Sequence, residues 1–89
     1  MEESKIQSYL IRELKKKGWF VRKIARTNSP GDPDLFTFKD GRVVWIEIKK
    51  SGRIADPLQE YKRKEIVSYG MESIVVAGIE EAYMYIDSL

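Results

Sequence analysis

Hydrophobic and polar positions divide the chain into seven segments. From Ser4 to Lys17, Ile6, Leu10 and Leu14 recur with Tyr9 at helical spacing, which predicts an amphipathic helix capped by Ser4 and ended by Lys15, Lys16, Lys17 and Gly18. Trp19 to Arg26 is rich in aromatic and β-branched residues and reads as a strand. The run Thr27 to Pro33 is turn-forming, and Pro33 opens the next strand, where its missing N–H does least harm. Two apolar runs, Leu35 to Phe38 and Val43 to Ile48, flank Asp40-Gly41, a strong short-range signal for a β-hairpin. After the polar connection Lys50 to Ala55, Asp56-Pro57-Leu58-Gln59 has the form of a helix start: N-cap, proline at the first helical position, capping-box glutamine. That helix continues through Tyr61, Ile66 and Tyr69 to Gly70, a C′ residue. Ser73 to Ala77 is a short buried-type strand; Ile79, Ala82, Tyr83 and Ile86 favour a terminal helix, although Tyr83-Met84-Tyr85-Ile86 could also extend a sheet. The expected architecture is α/β, α-β-β-β-α-β-α. A meander of three strands is followed by a crossover helix that brings in the fourth, giving a mixed central sheet flanked by helices in one domain, residues 1–89.

The hairpin fixes more than topology. With Asp40-Gly41 as a two-residue loop, Lys39 faces Arg42, and the same pairing places Asp34 across from Glu47. Two carboxylates so placed have Cβ atoms about 5 Å apart and repel each other. Lys49, two residues beyond Glu47, shares their face and supplies one compensating charge; a divalent cation is the other candidate, because hard metals such as Mg²⁺ take one or two carboxylates plus phosphate and water. An isolated Glu-x-Lys is ordinary on a solvated strand, and an odd-numbered loop would break the register. Phe36 and Trp45, however, share the parity of the charges, so this is not a simple solvated face.

Composition narrows the chemistry. The 89 residues, 43% hydrophobic and 34% charged, lie near the lower end of what holds a core unaided. With neither cysteine nor histidine, disulfides, thiolate or imidazole metal sites, cysteine nucleophiles and histidine bases are excluded, and any metal must be bound by oxygen. No apolar run approaches the roughly 18–20 residues of a membrane span, and Met1-Glu2-Glu3-Ser4-Lys5 has no signal-peptide core, so a cytoplasmic protein without membrane partners is expected. The net charge of +2 does not identify a nucleic-acid binder. The clusters Lys15-Lys16-Lys17, Arg22-Lys23 with Arg26, Lys49-Lys50 with Arg53, and Lys62-Arg63-Lys64 would suit a phosphate backbone if they met on one face; solvated helix faces are the plain alternative for the first and last.

Pro33-Asp34, then Glu47-Ile48-Lys49 on this element order, resembles the PD-(D/E)XK nuclease superfamily. Glu3-Ser4-Lys5-Ile6-Gln7, Gly31-Asp32-Pro33-Asp34-Leu35, Trp45-Ile46-Glu47-Ile48-Lys49-Lys50 and Pro57-Leu58-Gln59 narrow the resemblance, over nearly the whole chain, to the VRR-Nuc (virus-type replication-repair nuclease) domain with its restriction-endonuclease-like fold. The resemblance implies a Mg²⁺- or Mn²⁺-dependent endodeoxyribonuclease of prokaryotic or phage type, acting in replication, repair or recombination. Asp34, Glu47 and the Ile48 carbonyl would ligate the metal, and Lys49 would orient or help deprotonate the attacking water and stabilise the phosphorane-like charge. Gln59 would lie near the scissile phosphate, and Glu3, with Glu2 as its adjacent alternative, would support metal or water. DNA contacts fall to Arg22, Lys23, Arg26, Lys50 and Arg53. The resemblance further implies a homodimer and makes branched DNA such as Holliday junctions a plausible substrate beside duplex. A non-catalytic nucleic-acid-binding or scaffold module of the same fold is the competing class, and a subunit of a restriction or transposition complex would keep the chemistry with other partners.

Overall fold

The computed structural model describes residues 2–25 and 27–89. Its elements follow the expected order: α1 (Glu3–Lys16), β1 (Phe20–Lys23), β2 (Leu35–Lys39), β3 (Arg42–Lys49), α2 (Pro57–Ser68), β4 (Glu72–Ala77) and α3 (Ile79–Asp87). The strands form one sheet in the order β1-β2-β3-β4, with the first three antiparallel and β4 parallel to β3 after the α2 crossover.

The hairpin has the register expected from its turn, Lys39 opposite Arg42 through to Leu35 opposite Ile46. Asp40 and Gly41 both have positive φ, 50° and 80°, the signature of a type I′ turn, whose twist matches that of the strands. Alternation then separates two faces. Leu35, Thr37, Val44, Ile46 and Ile48 are buried on one, in a core shared with Ile6, Leu10 and Leu14 of α1 and Ala82 and Ile86 of α3. Fully burying each such aliphatic chain stabilises the fold by about 1.5–3 kcal/mol. The one polar member, Thr37, is satisfied: its Oγ1 donates to the Val44 carbonyl at 2.6 Å. The opposite face carries Phe36, Phe38, Val43, Trp45, Glu47 and Lys49, and α2 covers part of it.

Some boundaries differ from the sequence reading, each for a local reason. Ser4 is not the cap of α1: Glu2 holds that position without a side-chain hydrogen bond, its carbonyl accepts from Lys5 and Ile6, and Glu3 complements the helix N-terminus as a first-turn acid. β1 ends at Lys23 rather than Arg26 because its partner strand runs out at Asp34, which accepts a last bond from Ile24 N–H before Pro33. Arg26 itself lies outside the described residues. β4 starts one residue early, at Glu72, and the terminal segment is a helix, not a sheet extension, set off by Gly78 at φ 92°. No helix among the described residues is long and apolar enough to cross a membrane.

Candidate active site

The segment before Asp34 is fixed from behind. Gly31 has φ 87°, and a Cβ there would stand 2.7 Å from Leu58 Cγ, so the loop lies directly on the first turn of α2. Lys62, one turn further along α2, donates from Nζ to Ser29 Oγ at 2.7 Å. Asp34 follows at the strand entrance.

The Asp34 carbonyl accepts from Ile24 at 2.8 Å, so its main chain faces β1, and ladder alternation turns Pro33 and Leu35 toward β3. In the continued register Pro33 stands opposite Ile48, and proline has no N–H to give it. The Ile48 carbonyl therefore has no ladder donor from the residue opposite it, while the Ile48 N–H donates to Asp34 Oδ2 at 2.8 Å. Asp34 is thereby aimed, and a backbone oxygen is left beside it.

Glu47 is the buried partner, only 6% exposed. Burial, and after it the Asp34 carboxylate, push its carboxyl up to about 7 against the opposing pull of Lys49. Lys49 Nζ stands 3.4 Å from Glu47 Oε2, and Gln59 Nε2 donates to the same oxygen at 2.6 Å. Gln59 also completes the capping box of α2: its Oε1 accepts from Asp56 N–H at 3.0 Å while Asp56 Oδ1 accepts from Gln59 N–H at 2.9 Å. Among the described residues no group of three or more acids, histidines or cysteines is arranged to hold a metal. The donor set is two carboxylates and a carbonyl, all oxygen. That all-oxygen set fits a hard divalent cation such as Mg²⁺.

The other expected residues sort themselves by position. Lys50 and Arg53 line an open cleft of about 320 Å³ with Lys49, Asp56 and Glu3, so Glu3 shares the cleft wall with Lys49. Arg22 and Lys23 fall on opposite sheet faces, and the Arg22 guanidinium lies 4.1 Å over the Phe20 ring. They do not join Lys50 and Arg53 in this cleft. A small cavity behind Glu47 is lined by Gln59, Arg63 and Ser73. Sequence reading passed over Arg63 at this position, although it lies four residues after Gln59 on the same helix face.

No family model and no curated protein matches the sequence. Solved structures do match. A chain described as a VRR_NUC domain superposes with a TM-score of 0.85 at 24% identity, covering 96% of this chain and 94% of the other. A second, a VRR_NUC domain protein, gives 0.79 at 20% identity over 99% and 87%. Hjc of Archaeoglobus fulgidus, a Holliday junction resolvase from an archaeal hyperthermophile, gives 0.67 at 20% identity over 84% and 67%. The chain therefore has the fold of the VRR_NUC domains, as its element order predicts.

Proposed function

We propose that this VRR_NUC-fold chain is a metal-dependent DNA endonuclease of the PD-(D/E)XK superfamily, selective for branched DNA such as Holliday junctions. The observation that carries the proposal is the facing Asp34/Glu47 pair, with Glu47 buried and Lys49 against it at 3.4 Å. A buried carboxylate beside a second acid is costly unless paired, and this arrangement makes physical sense around a cation. The resolvase among the structural neighbours supports the choice of a branched substrate.

In this reading Asp34, Glu47 and the Ile48 carbonyl would hold Mg²⁺ or Mn²⁺. When bound, such an ion supplies Lewis-acid polarisation of the phosphoryl oxygen and an acidified water. Lys49 donates toward the attacking water and the developing phosphoryl charge. Lys50 and Arg53 grip the phosphate backbone along the cleft, with Glu3 facing them. Cleavage of a four-way junction against matched duplex, in Mg²⁺, Mn²⁺ and EDTA, tests the proposal. Metal-dependent incision of the junction in preference to duplex is expected. Retained binding with no incision of junction, flap or duplex in either metal would make the chain a binding module instead.

A homodimer belongs to the same proposal, supported by the sheet face that α2 leaves open. Phe20, Phe36 and Trp45 form a row of edge-to-face rings with centroids 6.2 and 5.1 Å apart, and Phe20 and Phe38 remain 46% and 43% exposed. Apolar surface of this kind marks an interface. Sedimentation equilibrium should show a dimer for the wild type and a monomer for Phe20→Glu/Phe38→Glu; a wild type still monomeric at about 100 µM would refute the dimer.

A further inference from the structure

We propose that Asp56 is a positioning residue for the metal site, acting through Gln59 to aim the Glu47 carboxylate. The inference rests on the metal-site reading above. A capping box normally serves only its own helix, satisfying free N–H groups at the first turn. Here the glutamine has a third partner. Its carbonyl is taken by Asp56 N–H at 3.0 Å, so the amide is fixed with its NH₂ toward Glu47, where Nε2 donates to Oε2 at 2.6 Å. Asp56 Oδ1 in turn holds the Gln59 N–H at 2.9 Å. A free glutamine could turn either end of its amide to the carboxylate; this one presents only donors. With Oε2 held by Gln59 and Lys49, Oε1 is the Glu47 oxygen left for a cation.

The first two turns of the same helix are seated on the loop before the other ligand. Leu58 packs on Gly31 and Lys62 bonds Ser29, both in the loop that delivers Asp34. The N-terminal half of α2 is thus a strut between the loop that delivers Asp34 and the strand that carries Glu47, and Asp56 caps its first turn. Groups that orient metal ligands from behind are typically worth 10–100-fold in metal affinity.

The test uses Mn²⁺ binding by calorimetry together with the Gln59 side-chain amide resonances of the metal-free protein. Asp56→Ala keeps the main-chain N–H but removes the Oδ1 bond that holds the first turn, and with it the Gln59 side chain, in register; it should raise the Mn²⁺ Kd about tenfold and move the amide protons toward solvent-exposed shifts, lowering kcat with KM for DNA unchanged. Asp56→Asn and Asp56→Ser, which are also good caps, should restore all three. In a Gln59→Ala background Asp56→Ala should leave the Kd unchanged, because the path through the amide is already cut. An Asp56→Ala protein that loses thermal stability but keeps wild-type Kd and amide shifts would reduce Asp56 to a helix cap. Wild-type protein without Mn²⁺ affinity or cleavage would instead sink the metal-site reading itself.

Discussion

Glu47→Gln should yield a protein inert on DNA and, at pH 8 in EDTA, more stable than the wild type. Glu47 is 6% exposed and its carboxyl is pushed up to about 7, by burial first and Asp34 second. Its folded value lies above the ordinary 4.5, so the folded protein holds a proton that the unfolded chain releases between those two values. The associated stability is fully present below about 4.5, declines as pH rises and is gone above about 7. At about 1.4 kcal/mol per pH unit the full effect is on the order of 3 kcal/mol. A neutral amide escapes this loss while still accepting from Gln59. The variant should therefore melt about 12–24 °C above wild type at pH 8. Near pH 5, where wild-type Glu47 is mostly protonated, the gap should largely close. Mg²⁺ should raise the wild-type melting temperature by binding the native state and leave the variant unmoved. Cleavage should fall by about 10³-fold or more with a charged ligand gone. Thermal melts at the two pH values decide the matter; a variant no more stable than wild type at pH 8 would show that Glu47 carries no such burden.

Lys49→Met should be the second severe change, for a different reason. The ammonium stands 3.4 Å from Glu47 Oε2 and is only 20% exposed, so it faces the carboxylates and the cleft together. Loss of one preorganised cationic donor typically costs about 10²–10³-fold in kcat. DNA affinity should change little, because Lys50 and Arg53 remain in the same cleft. Lys49 also opposes the upward push on Glu47, so its removal should move the onset of Mg²⁺ binding to higher pH. Single-turnover cleavage and DNA binding in Ca²⁺ separate these effects, and a methionine variant within tenfold of wild-type kcat would remove Lys49 from the chemistry.

The sequence carried the hairpin because three signals agree there: the Asp-Gly pair, the alternation on both sides, and a loop of two residues that leaves one register. Helix α2 was legible from Asp56-Pro57 for similar reasons. Boundaries were less so, since they depend on partners. The end of β1 depends on where its partner runs out, at the Asp34 carbonyl that takes the last bond from Ile24, and the start of α1 on backbone bonds to Glu2 that no side chain announces. Gln59 could be read as a cap partner or as a site residue, and the structure shows both contacts at once, one from each end of its amide. Charge clusters were the weakest guide. Arg22 and Lys23 are adjacent in sequence, yet strand alternation sends them to opposite faces.

The two-residue turn at Asp40 and Gly41 locks the pairing register of β2 and β3. Twelve residues separate Asp34 from Glu47, and the facing of the two acids is stored in the parity of that interval. A single inserted residue that shifted the pairing would exchange Glu47 with its neighbours Ile46 and Ile48, driving a carboxylate toward Leu10 and Leu14 and an isoleucine into the cleft. Two inserted residues would leave the facing pairs intact. Descendants of this sequence can thus lengthen the loop by even steps, while odd steps that are not absorbed by a bulge disrupt the core and the acid pair in one event.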